Sequence, residues 1–573
     1  MSYMDEYQKW MGSPYVDHAL REELERIKGN DEEIKNRFYM PLQFGTAGLR
    51  GVLGAGINRM NIHTVRQATQ GLAAMINENG AGQRGVAIAY DCRRMSDVFA
   101  RDAARVLAAN GVKVYLFDAM RPTPVLSFAI LKLGCVSGIN ITASHNPPEY
   151  NGYKAYWEDG AQLPPGPADA AARHIRAIDI FTGVKLIDFN DARDQGIISM
   201  LGYEIDEEFL DAVASVSVSP EIVRANADKL RIVYTPFHGT GYKLVPEALK
   251  RLGVKHLYCE PSQSVPSGEF PTVSSPNPEN PEGFRLAVEL AKQKNADLII
   301  GTDPDADRTG VMIRGHDGEY VTITGNQLGV MLIHYIIEAR RQNDTLPVNA
   351  AVVKSIVTTE LARAVAEANG VACFDTFTGF KFIANMINDL QHDGKFKYIF
   401  SFEESYGYLV GDYCRDKDAV SASLLAAEMT AWYLGRGMTL ADGMVEIYEK
   451  YGWHTEKTIN MVMAGADGLD RMNRLMDGLR GDPPDKIAGV PVAYVRDYLT
   501  GERTRIKDQT SEKMELFGSN VLYLELADGT AFIIRPSGTE PKVKVYILAK
   551  AGSQAETAAL AEKYAAAAGE IIK

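Results

Sequence analysis

Short runs of apolar residues alternate with helical patterns through the first three quarters of the chain. Residues 86–90, 112–116 and 232–234 are rich in β-branched and aromatic residues, which is typical of buried strands. Residues 96–110 and 244–252 repeat apolar side chains at helical spacing. This alternation predicts an α/β fold in which helices pack against sheets.

The last quarter of the chain has a different pattern. Residues 521–526, 531–534 and 543–549 are strand-like, and an Asp-Gly turn separates the first two. An alanine-rich helical pattern follows from Ser553 onward. We therefore expect an antiparallel meander closed by a helix, which is an α+β unit.

The length of the chain predicts several domains. Its 573 residues exceed the ~250 to 300 at which a single core stops growing. We place the boundaries near 205, 325 and 450. The predicted domains are three α/β domains and a final α+β domain, at residues 1–205, 206–325, 326–450 and 451–573.

Composition narrows the class of protein. With 46% hydrophobic and 24% charged residues, and no apolar run of membrane-spanning length, the chain is expected to be neither disordered nor inserted in a membrane. A net charge of −13 argues against nucleic-acid binding. The N-terminus lacks a basic region followed by an apolar core, so no secretory signal is expected. Scattered cysteines predict reduced thiols in the cytoplasm; they are Cys92, Cys135, Cys259, Cys373 and Cys414.

Residues 142–154 place a serine, Ser144, beside His145 and Lys154. The apolar residues 136–141 before it predict a short buried strand, and two consecutive prolines after it prevent a helix. Ser144 is therefore predicted at a strand end, as a nucleophile that neighbouring groups activate. The Gly-x-Ser-x-Gly elbow of hydrolases is absent from the sequence around it. A polar surface turn is the alternative.

Three aspartates, Asp303, Asp305 and Asp307, follow the apolar run 296–300. At this spacing they share one side of an extended segment, and oxygen ligands of this kind suit Mg²⁺. A calcium EF-hand loop starts with the same spacing, but its sixth position is here Arg308 instead of glycine. An acidic turn that caps a helix is the alternative. Without a cation, repulsion among the carboxylates is expected to raise at least one pKa.

Two further motifs contain groups that bind sugars and anions. In residues 401–408, Glu403 and Ser405 can bind vicinal sugar hydroxyls, although adjacent glutamates also occur on solvated faces. Residues 535–542 offer an arginine, two hydroxyls and a glycine turn, which together can hold a phosphate. A plain hairpin loop is the alternative. No Walker A or Gly-x-Gly-x-x-Gly motif indicates a nucleotide.

Because the chain is acidic overall, an anionic ligand has to be attracted by a local positive field. For any single cation, a surface salt bridge is the alternative. The candidate residues for this field are Arg50, Lys154, Arg308, Lys381, Lys417, Arg535 and Lys544.

In this order, the four motifs resemble the α-D-phosphohexomutase superfamily over nearly the whole chain. Residues 44–51, 235–241 and 378–381 add to the resemblance, and residues 402–418 are most similar to bacterial phosphoglucomutases related to the second eukaryotic type. The resemblance implies four domains around a central cleft, of which three are similar α/β domains with mixed sheets and the last is α+β.

The resemblance also implies a mechanism. Ser144 carries a phosphoryl group, and one of its oxygens binds Mg²⁺ together with Asp303, Asp305 and Asp307. Transfer to a hexose phosphate gives glucose 1,6-bisphosphate, which is both intermediate and activator. After this molecule turns around, its other phosphate returns to the serine.

The site residues follow from the same resemblance. Lys154 is the candidate general acid or base, and Arg50, His145, Arg308 and Lys417 stabilise phosphoryl charge or tune protonation. For a lysine base, the pKa has to fall from ~10.4 toward neutrality. The predicted substrate-binding residues are Thr378, Gly379, Lys381, Glu403, Ser405, Arg535, Ser537, Gly538, Thr539 and Lys544.

Other functions on the same scaffold remain open. They are phosphomannomutase, phosphopentomutase and glucose 1,6-bisphosphate synthase, because sugar epimers differ by one hydroxyl. A metal-dependent sugar phosphatase and a silent binding protein are alternatives from other classes. The expected partner is a small phosphosugar, with no nucleic acid or membrane, and the chain is expected to be a monomer or homodimer.

Overall fold

The computed structural model describes residues 2–45, 48–463, 468–537 and 542–572. The chain divides into two compact units. The first unit is Met1–Gly325 with Phe400–Ala441, and the second is Asn326–Ile399 with Asp442–Lys573. The domain boundaries near 205, 325 and 450 stay predictions.

Three helices open the first unit, and a mixed sheet with flanking helices follows. The elements are α1 (Tyr3–Gly12), α2 (His18–Arg26), α3 (Asp31–Phe38), β1 (Leu49–Val52), α4 (Ile62–Glu78), β2 (Val86–Tyr90), α5 (Ser96–Ala109), β3 (Val114–Phe117), α6 (Thr123–Leu133), β4 (Ser137–Ile141), β5 (Tyr150–Trp157), α7 (Pro165–Ala177), α8 (Phe189–Asp194) and β6 (Ile198–Leu201), with a 3₁₀ helix at Gly82–Arg84.

The first sheet has the strand order β1-β5-β4-β2-β3-β6. The central strands β2 and β4 pair in parallel, and nearly all of their residues are buried, as expected for parallel strands covered on both faces. Since the carboxyl ends of parallel neighbours meet at one edge, the loops after β2 and β4 begin side by side. The predicted strand at 86–90 and the helix after it are confirmed.

Helices α1 to α3 form a separate hydrophobic cluster at the N-terminus. Ser2, Asp17 and Asn30 cap the three helices, each accepting a hydrogen bond from a backbone amide of the first turn. Trp10 and Phe38 are buried at the centre of the cluster. These helices lack a counterpart among the predicted elements.

A second sheet with its helices makes up most of the rest of the first unit. Its elements are α9 (Tyr203–Ser215), α10 (Pro220–Ala225), β7 (Arg231–Thr235), α11 (Gly241–Leu252), β8 (His256–Cys259), α12 (Arg285–Lys294), β9 (Leu298–Thr302), β10 (Thr309–Arg314) and β11 (Tyr320–Thr322), with a 3₁₀ helix at Pro281–Phe284. The strand order is β11-β10-β9-β7-β8. Strand β7 is parallel to both of its neighbours, β8 and β9, whereas β10 is antiparallel to β9. The loop from β9 to β10 therefore carries the three aspartates.

The next elements lie partly in the second unit and partly in the first. They are α13 (Gly325–Gln342), β12 (Ala350–Ser355), α14 (Glu360–Ala368), β13 (Ala372–Thr376), α15 (Phe380–Asp393), β14 (Lys397–Glu403), β15 (Gly407–Leu409), α16 (Ala419–Gly435) and α17 (Leu440–Tyr451). In the first unit, the end of β14 pairs antiparallel with β15. Asp418 caps α16 by accepting a hydrogen bond from Val420 N at 2.7 Å.

The rest of the second unit is an antiparallel sheet with helices. Its elements are β16 (Trp453–Val462), α18 (Gly468–Gly481), β17 (Lys486–Ile487), β18 (Val490–Asp497), β19 (Glu502–Arg505), β20 (Ser511–Lys513), β21 (Leu522–Leu526), β22 (Ala531–Pro536), β23 (Lys542–Ala551) and α19 (Gln554–Ile571). The order is β16-β23-β22-β21-β18-β19-β20, and β17 pairs with β18. The predicted meander of β21, β22 and β23 and the closing helix are confirmed. Among the described helices, none combines the length and apolar character needed to cross a membrane.

Candidate active site

Ser144 lies in the turn that follows β4, and it is buried. Its backbone φ is +51°, in the left-handed region that a residue with a side chain rarely adopts. Its amide donates to Thr142 Oγ1 at 2.8 Å. Its hydroxyl donates to Asp303 Oδ2 at 2.8 Å and lies 3.2 Å from His145 Nδ1. The turn thus directs the hydroxyl at the first aspartate of the β9–β10 loop.

The three aspartates converge because their loop turns. The prediction of an extended segment is wrong: Ala306 has φ +50°, and its amide donates to Asp303 O at 2.9 Å. The carboxylate of Asp303 accepts further hydrogen bonds, from the backbone amides of Asp307 at 3.1 Å and Arg308 at 3.0 Å. One carboxylate oxygen of each aspartate lies within 4.8 Å of the others, and all three side chains are buried.

The three carboxyl groups of the cluster differ in the direction of their pKa shifts. The pKa of Asp303 is well above its usual value, because of burial first and then of the charges on Asp305 and Asp307. Burial also acts to raise the pKa of Asp305 and of Asp307, but nearby ammonium groups, chiefly that of Lys154, outweigh it and lower both. The predicted rise of at least one pKa is confirmed.

The cluster has the properties of a metal site. Oδ1 of Asp305 and Oδ1 of Asp307 are buried and accept no hydrogen bond from any described residue. Buried carboxylate oxygens without a donor are costly unless a cation compensates them. An all-oxygen set fits a hard divalent ion. These residues can therefore bind a metal ion.

Lys154 lies on β5 and is buried among the carboxylates. Its Nζ is 2.6 Å from Asp305 Oδ2 and 3.1 Å from Asp307 Oδ2. Burial acts to lower the pKa of Lys154, but the two carboxylates outweigh it and raise the pKa. This direction is opposite to the one that a lysine base needs, and it favours the proton-donating ammonium form.

Lys417 approaches the same cluster from the segment before α16. Its Nζ lies 2.9 Å from Asp416 Oδ1 and 3.4 Å from Asp307 Oδ2. Burial acts to lower the pKa values of Lys417 and Arg308, while Glu403 is among the carboxylates that raise both. Glu403 ends β14, and its charge contributes to the net rise of both pKa values.

Arg308, His145 and Arg50 complete the polar surroundings of Ser144. Arg308 Nη1 donates to Glu279 Oε1 at 3.0 Å. Burial, followed by the charges of Arg308 and Arg50, holds the pKa of His145 well below its usual value, so its ring is neutral near pH 7. Arg50 Nη1 donates to Asn146 Oδ1 in the serine turn at 3.0 Å.

Ser405 lies in the turn between β14 and β15 in the first unit, whereas Thr378, Gly379 and Lys381 lie in the second. Gly379, at φ +111°, precedes α15 directly. The Nζ of Lys381 is 4.9 Å from the ring centre of Phe382, and burial lowers the pKa of this lysine.

The predicted phosphate-binding residues occupy the ends of β22 and β23 in the second unit. Arg535 lies directly opposite Lys544 in the antiparallel register, and its Nη1 donates to Tyr546 Oη at 3.2 Å. Like charges opposite one another destabilise a strand pair, so this pairing favours an anion. Ser537 follows β22, and its amide donates to Lys542 O at 2.7 Å. Gly538 and Thr539, also predicted here, lie outside the described residues.

The structure adds site residues that the motifs did not indicate. Thr123 Oγ1 donates to Asp305 Oδ2 at 2.9 Å, and Asn140 Nδ2 donates to Thr123 Oγ1 at 2.8 Å. Tyr156 Oη donates to Asp416 Oδ2 at 2.8 Å, which fixes the carboxylate that holds Lys417. Of these, Asp416 falls inside residues 402–418 and Asn140 inside the predicted strand at 136–141, whereas Thr123 and Tyr156 lie outside the segments singled out in the sequence.

Comparison with known proteins places this arrangement in a family. Sequence models described as phosphoglucomutase/phosphomannomutase alpha/beta/alpha domains I, II and III match residues 41–180, 207–316 and 324–451, and the C-terminal domain of that family matches residues 505–567. A phosphoglucomutase of Staphylococcus haemolyticus is 37% identical over 511 residues, which cover 89% of this chain and 90% of that protein. A phosphoglucomutase of Staphylococcus aureus strain N315 is 36% identical over 523 residues, or 91% of this chain and 92% of that protein.

Solved structures support the same fold. A phosphoglucomutase/phosphomannomutase family protein of Burkholderia thailandensis matches with a TM-score of 0.64 and 19% identity over 92% of this chain and 97% of that one. Parafusin, a Paramecium phosphoglucomutase, matches with a TM-score of 0.67 and 17% identity over 93% of this chain and 95% of that one. The predicted four-domain α/β architecture is confirmed, and the chain belongs to the phosphoglucomutase/phosphomannomutase family of the α-D-phosphohexomutase superfamily.

Proposed function

We propose that this enzyme is a phosphoglucomutase, which interconverts α-D-glucose 1-phosphate and glucose 6-phosphate through a phosphoserine enzyme and a glucose 1,6-bisphosphate intermediate. The observation that carries the proposal is the 2.8 Å hydrogen bond from the buried Ser144 hydroxyl to Asp303. It joins a strained serine turn to a cluster that fits a divalent cation. Relatives at 36–37% identity that are named phosphoglucomutase support the choice of reaction.

The first half-reaction transfers the phosphoryl group from Ser144 to the sugar. The bond between phosphorus and Ser144 Oγ breaks while a bond from O6 of glucose 1-phosphate to phosphorus forms. Lys154, whose ammonium form is favoured, is the candidate that donates its proton to the leaving Ser144 Oγ, and its amine then takes up the proton of the O6 hydroxyl. The second half-reaction runs in reverse at O1, so the phosphoserine is restored.

We propose Mg²⁺ as the ion that Asp303, Asp305 and Asp307 hold together with an oxygen on Ser144. When bound, Mg²⁺ neutralises charge on the phosphoryl group during its transfer. Arg308 and Lys417 add positive charge beside the same carboxylates. Such preorganised charges act on the transition state more strongly than in water, because the site is buried.

We propose that the remaining predicted residues bind the sugar phosphate. Arg535 and Lys544 hold the phosphate that is not being transferred, and the repulsion between these opposed cations supports this role. Glu403 and Ser405 bind sugar hydroxyls, as do Thr378, Gly379 and Lys381. A cytoplasmic location is supported by the five cysteines, which all lie in the described part of the chain and are free thiols.

A coupled assay tests this proposal. Glucose, mannose, glucosamine and ribose 1-phosphates are compared, with and without added glucose 1,6-bisphosphate, and inorganic phosphate is measured in parallel. We expect glucose 1-phosphate to be isomerised fastest and the bisphosphate to shorten any lag. Release of phosphate without isomerisation would instead identify a sugar phosphatase.

The matched variants are Ser144→Ala and Ser137→Ala. Ser137 is a buried serine of β4 whose hydroxyl donates to a backbone carbonyl at 2.6 Å, so its loss removes a similar hydrogen bond outside the serine turn. Ser144→Ala is expected to abolish turnover, whereas Ser137→Ala is expected to retain it. Turnover above a few per cent in Ser144→Ala would show that another residue accepts the phosphoryl group.

A further inference from the structure

The side chain of Arg93, an arginine that follows β2, contacts the backbone of the serine turn. The side chain of Arg93 is fully buried. Its guanidinium donates to four carbonyl oxygens of the turn, which are Ser144 O at 2.5 Å, Pro147 O at 2.8 Å, Tyr150 O at 3.1 Å and Asn146 O. One side chain thus binds the turn from its serine to the start of β5.

Arg93 is itself held from two sides. Its Nε lies 3.3 Å from Asp91 Oδ2, and Asp91 Oδ1 accepts hydrogen bonds from Arg93 N at 2.9 Å and Ser96 Oγ at 2.8 Å. The ring centre of Phe270, which lies between β8 and α12, is 4.9 Å from the guanidinium carbon. The planar group is therefore fixed before any substrate binds.

The position of Ser144 depends on the conformation of this turn. Because φ of +51° is unfavourable for serine, surrounding contacts have to hold it. The carbonyl of Ser144 itself is one of the Arg93 acceptors, so this contact acts on the strained residue directly. If the turn relaxed, the serine hydroxyl would leave its 2.8 Å contact with Asp303.

We propose that Arg93 is a positioning residue for phosphoryl transfer, which holds Ser144 in its left-handed conformation with the hydroxyl directed at the aspartate cluster. The inference rests on the proposed function. A lysine is a point charge, whereas the guanidinium presents five donors in a rigid plane, so Arg93→Lys keeps the charge and loses the simultaneous contacts.

The chain offers a matched control in the N-terminal helices. Arg21 also donates to backbone carbonyls, at 2.8 Å to Ser13 O, 3.1 Å to Val16 O and 3.4 Å to Met11 O. Its acceptors lie around the end of α1 and not in the serine turn. Arg21→Lys therefore removes a similar set of contacts without acting on Ser144.

The first experiment compares the steady-state kinetics and thermal unfolding of the wild type, Arg93→Lys and Arg21→Lys. A displacement of about 1 Å at a reacting group can cost ~10²-fold in rate, so we expect a kcat loss of this order in Arg93→Lys. KM should stay within about twofold, since substrate contacts are intact. Arg21→Lys should keep the wild-type kcat even if its unfolding temperature changes. Equal kcat losses in both variants, or none in Arg93→Lys, would overturn the inference.

The second experiment uses Arg93→Ala and guanidinium as a chemical replacement. Millimolar guanidinium chloride should raise its kcat at least about tenfold, because the ion can occupy the emptied carbonyl site, whereas sodium chloride should not. Arg21→Ala should gain nothing. Absence of recovery in Arg93→Ala, measured with folded protein, contradicts the proposal.

A third readout separates this inference from the proposed function. The rate at which glucose 1,6-bisphosphate phosphorylates Ser144 is followed by mass spectrometry in the wild type and Arg93→Lys, independently of isomerisation. A slower rate in the variant is expected. If the wild type failed to isomerise glucose phosphates, the proposed function would fall; if it isomerised them and Arg93→Lys matched it in both rates, only the role of Arg93 would fall.

Discussion

The side chain of Lys417 passes directly over Gly407, which makes Gly407→Ala a sharp test of how the site is built. A Cβ at this position would lie 2.1 Å from Lys417 Cδ and 2.7 Å from its Cγ. Since carbon atoms pack at about 3.5 Å, Cδ would have to move by roughly 1.4 Å. Gly407 has no positive φ, so alanine meets this clash without backbone strain.

The displacement carries the ammonium group away from its partners. Lys417 Nζ is 2.9 Å from Asp416 Oδ1 and 3.4 Å from Asp307 Oδ2, and a shift of this size breaks both contacts. Overpacking of this kind costs ~1 to 3 kcal/mol in the free energy of unfolding. Misplacement of a charge-stabilising group by about 1 Å costs ~10²-fold in kcat. We expect both effects, measured by denaturant unfolding and by the coupled isomerisation assay.

Lys417→Ala supplies the control, because it removes the atoms that the new methyl group would meet. The double variant Gly407→Ala/Lys417→Ala should have the kcat of Lys417→Ala alone and should regain part of the lost stability. Gly478→Ala in α18, where a Cβ meets nothing within 4 Å, should retain wild-type kcat. The reasoning is refuted if Gly407→Ala turns over at the wild-type rate, or if the two rate losses multiply in the double variant.

Three further predictions concern pH, metal and substrate. Burial lowers the pKa of His63 to about 4, so the unfolded chain takes up a proton at a higher pH than the folded chain does. The free energy of unfolding that depends on His63 is therefore complete above the unfolded pKa of ~6.5, and it falls by about 3 kcal/mol as the pH drops to 4. His63→Leu should flatten urea-unfolding free energies over this range, and an unchanged slope contradicts the assignment. Asp305→Asn should weaken Mg²⁺ binding in calorimetric titration, which equal affinity would disprove. Arg535→Ala should mainly raise KM for glucose 1-phosphate, and a loss confined to kcat would exclude it from phosphate binding.

Elements that depend on local patterns were predictable from the sequence. The buried strand β2, the helix α5 and the meander of β21 to β23 follow from hydrophobic spacing and turn residues within each segment. The placement of Ser144 after a buried strand was predictable for the same reason.

Features that depend on tertiary contacts were not predictable. The hydrogen bond from Thr123 to Asp305 joins residues 182 positions apart, and neither residue type indicates the other. The aspartate loop turns because the carboxylate of Asp303 binds backbone amides of its own loop, which spacing alone does not reveal. The raised pKa of Lys154 likewise depends on how closely two carboxylates approach it in the fold.

The central claim is that one serine hydroxyl carries the phosphoryl group between the two ends of the sugar. It is tested most directly by incubating the enzyme with glucose 1,6-bisphosphate that carries radiolabelled phosphate and mapping the labelled peptide. We predict label on Ser144, and its quantitative transfer to hexose phosphate when unlabelled glucose 1-phosphate is added. Label on a different residue, or label lost only as inorganic phosphate, would contradict the account.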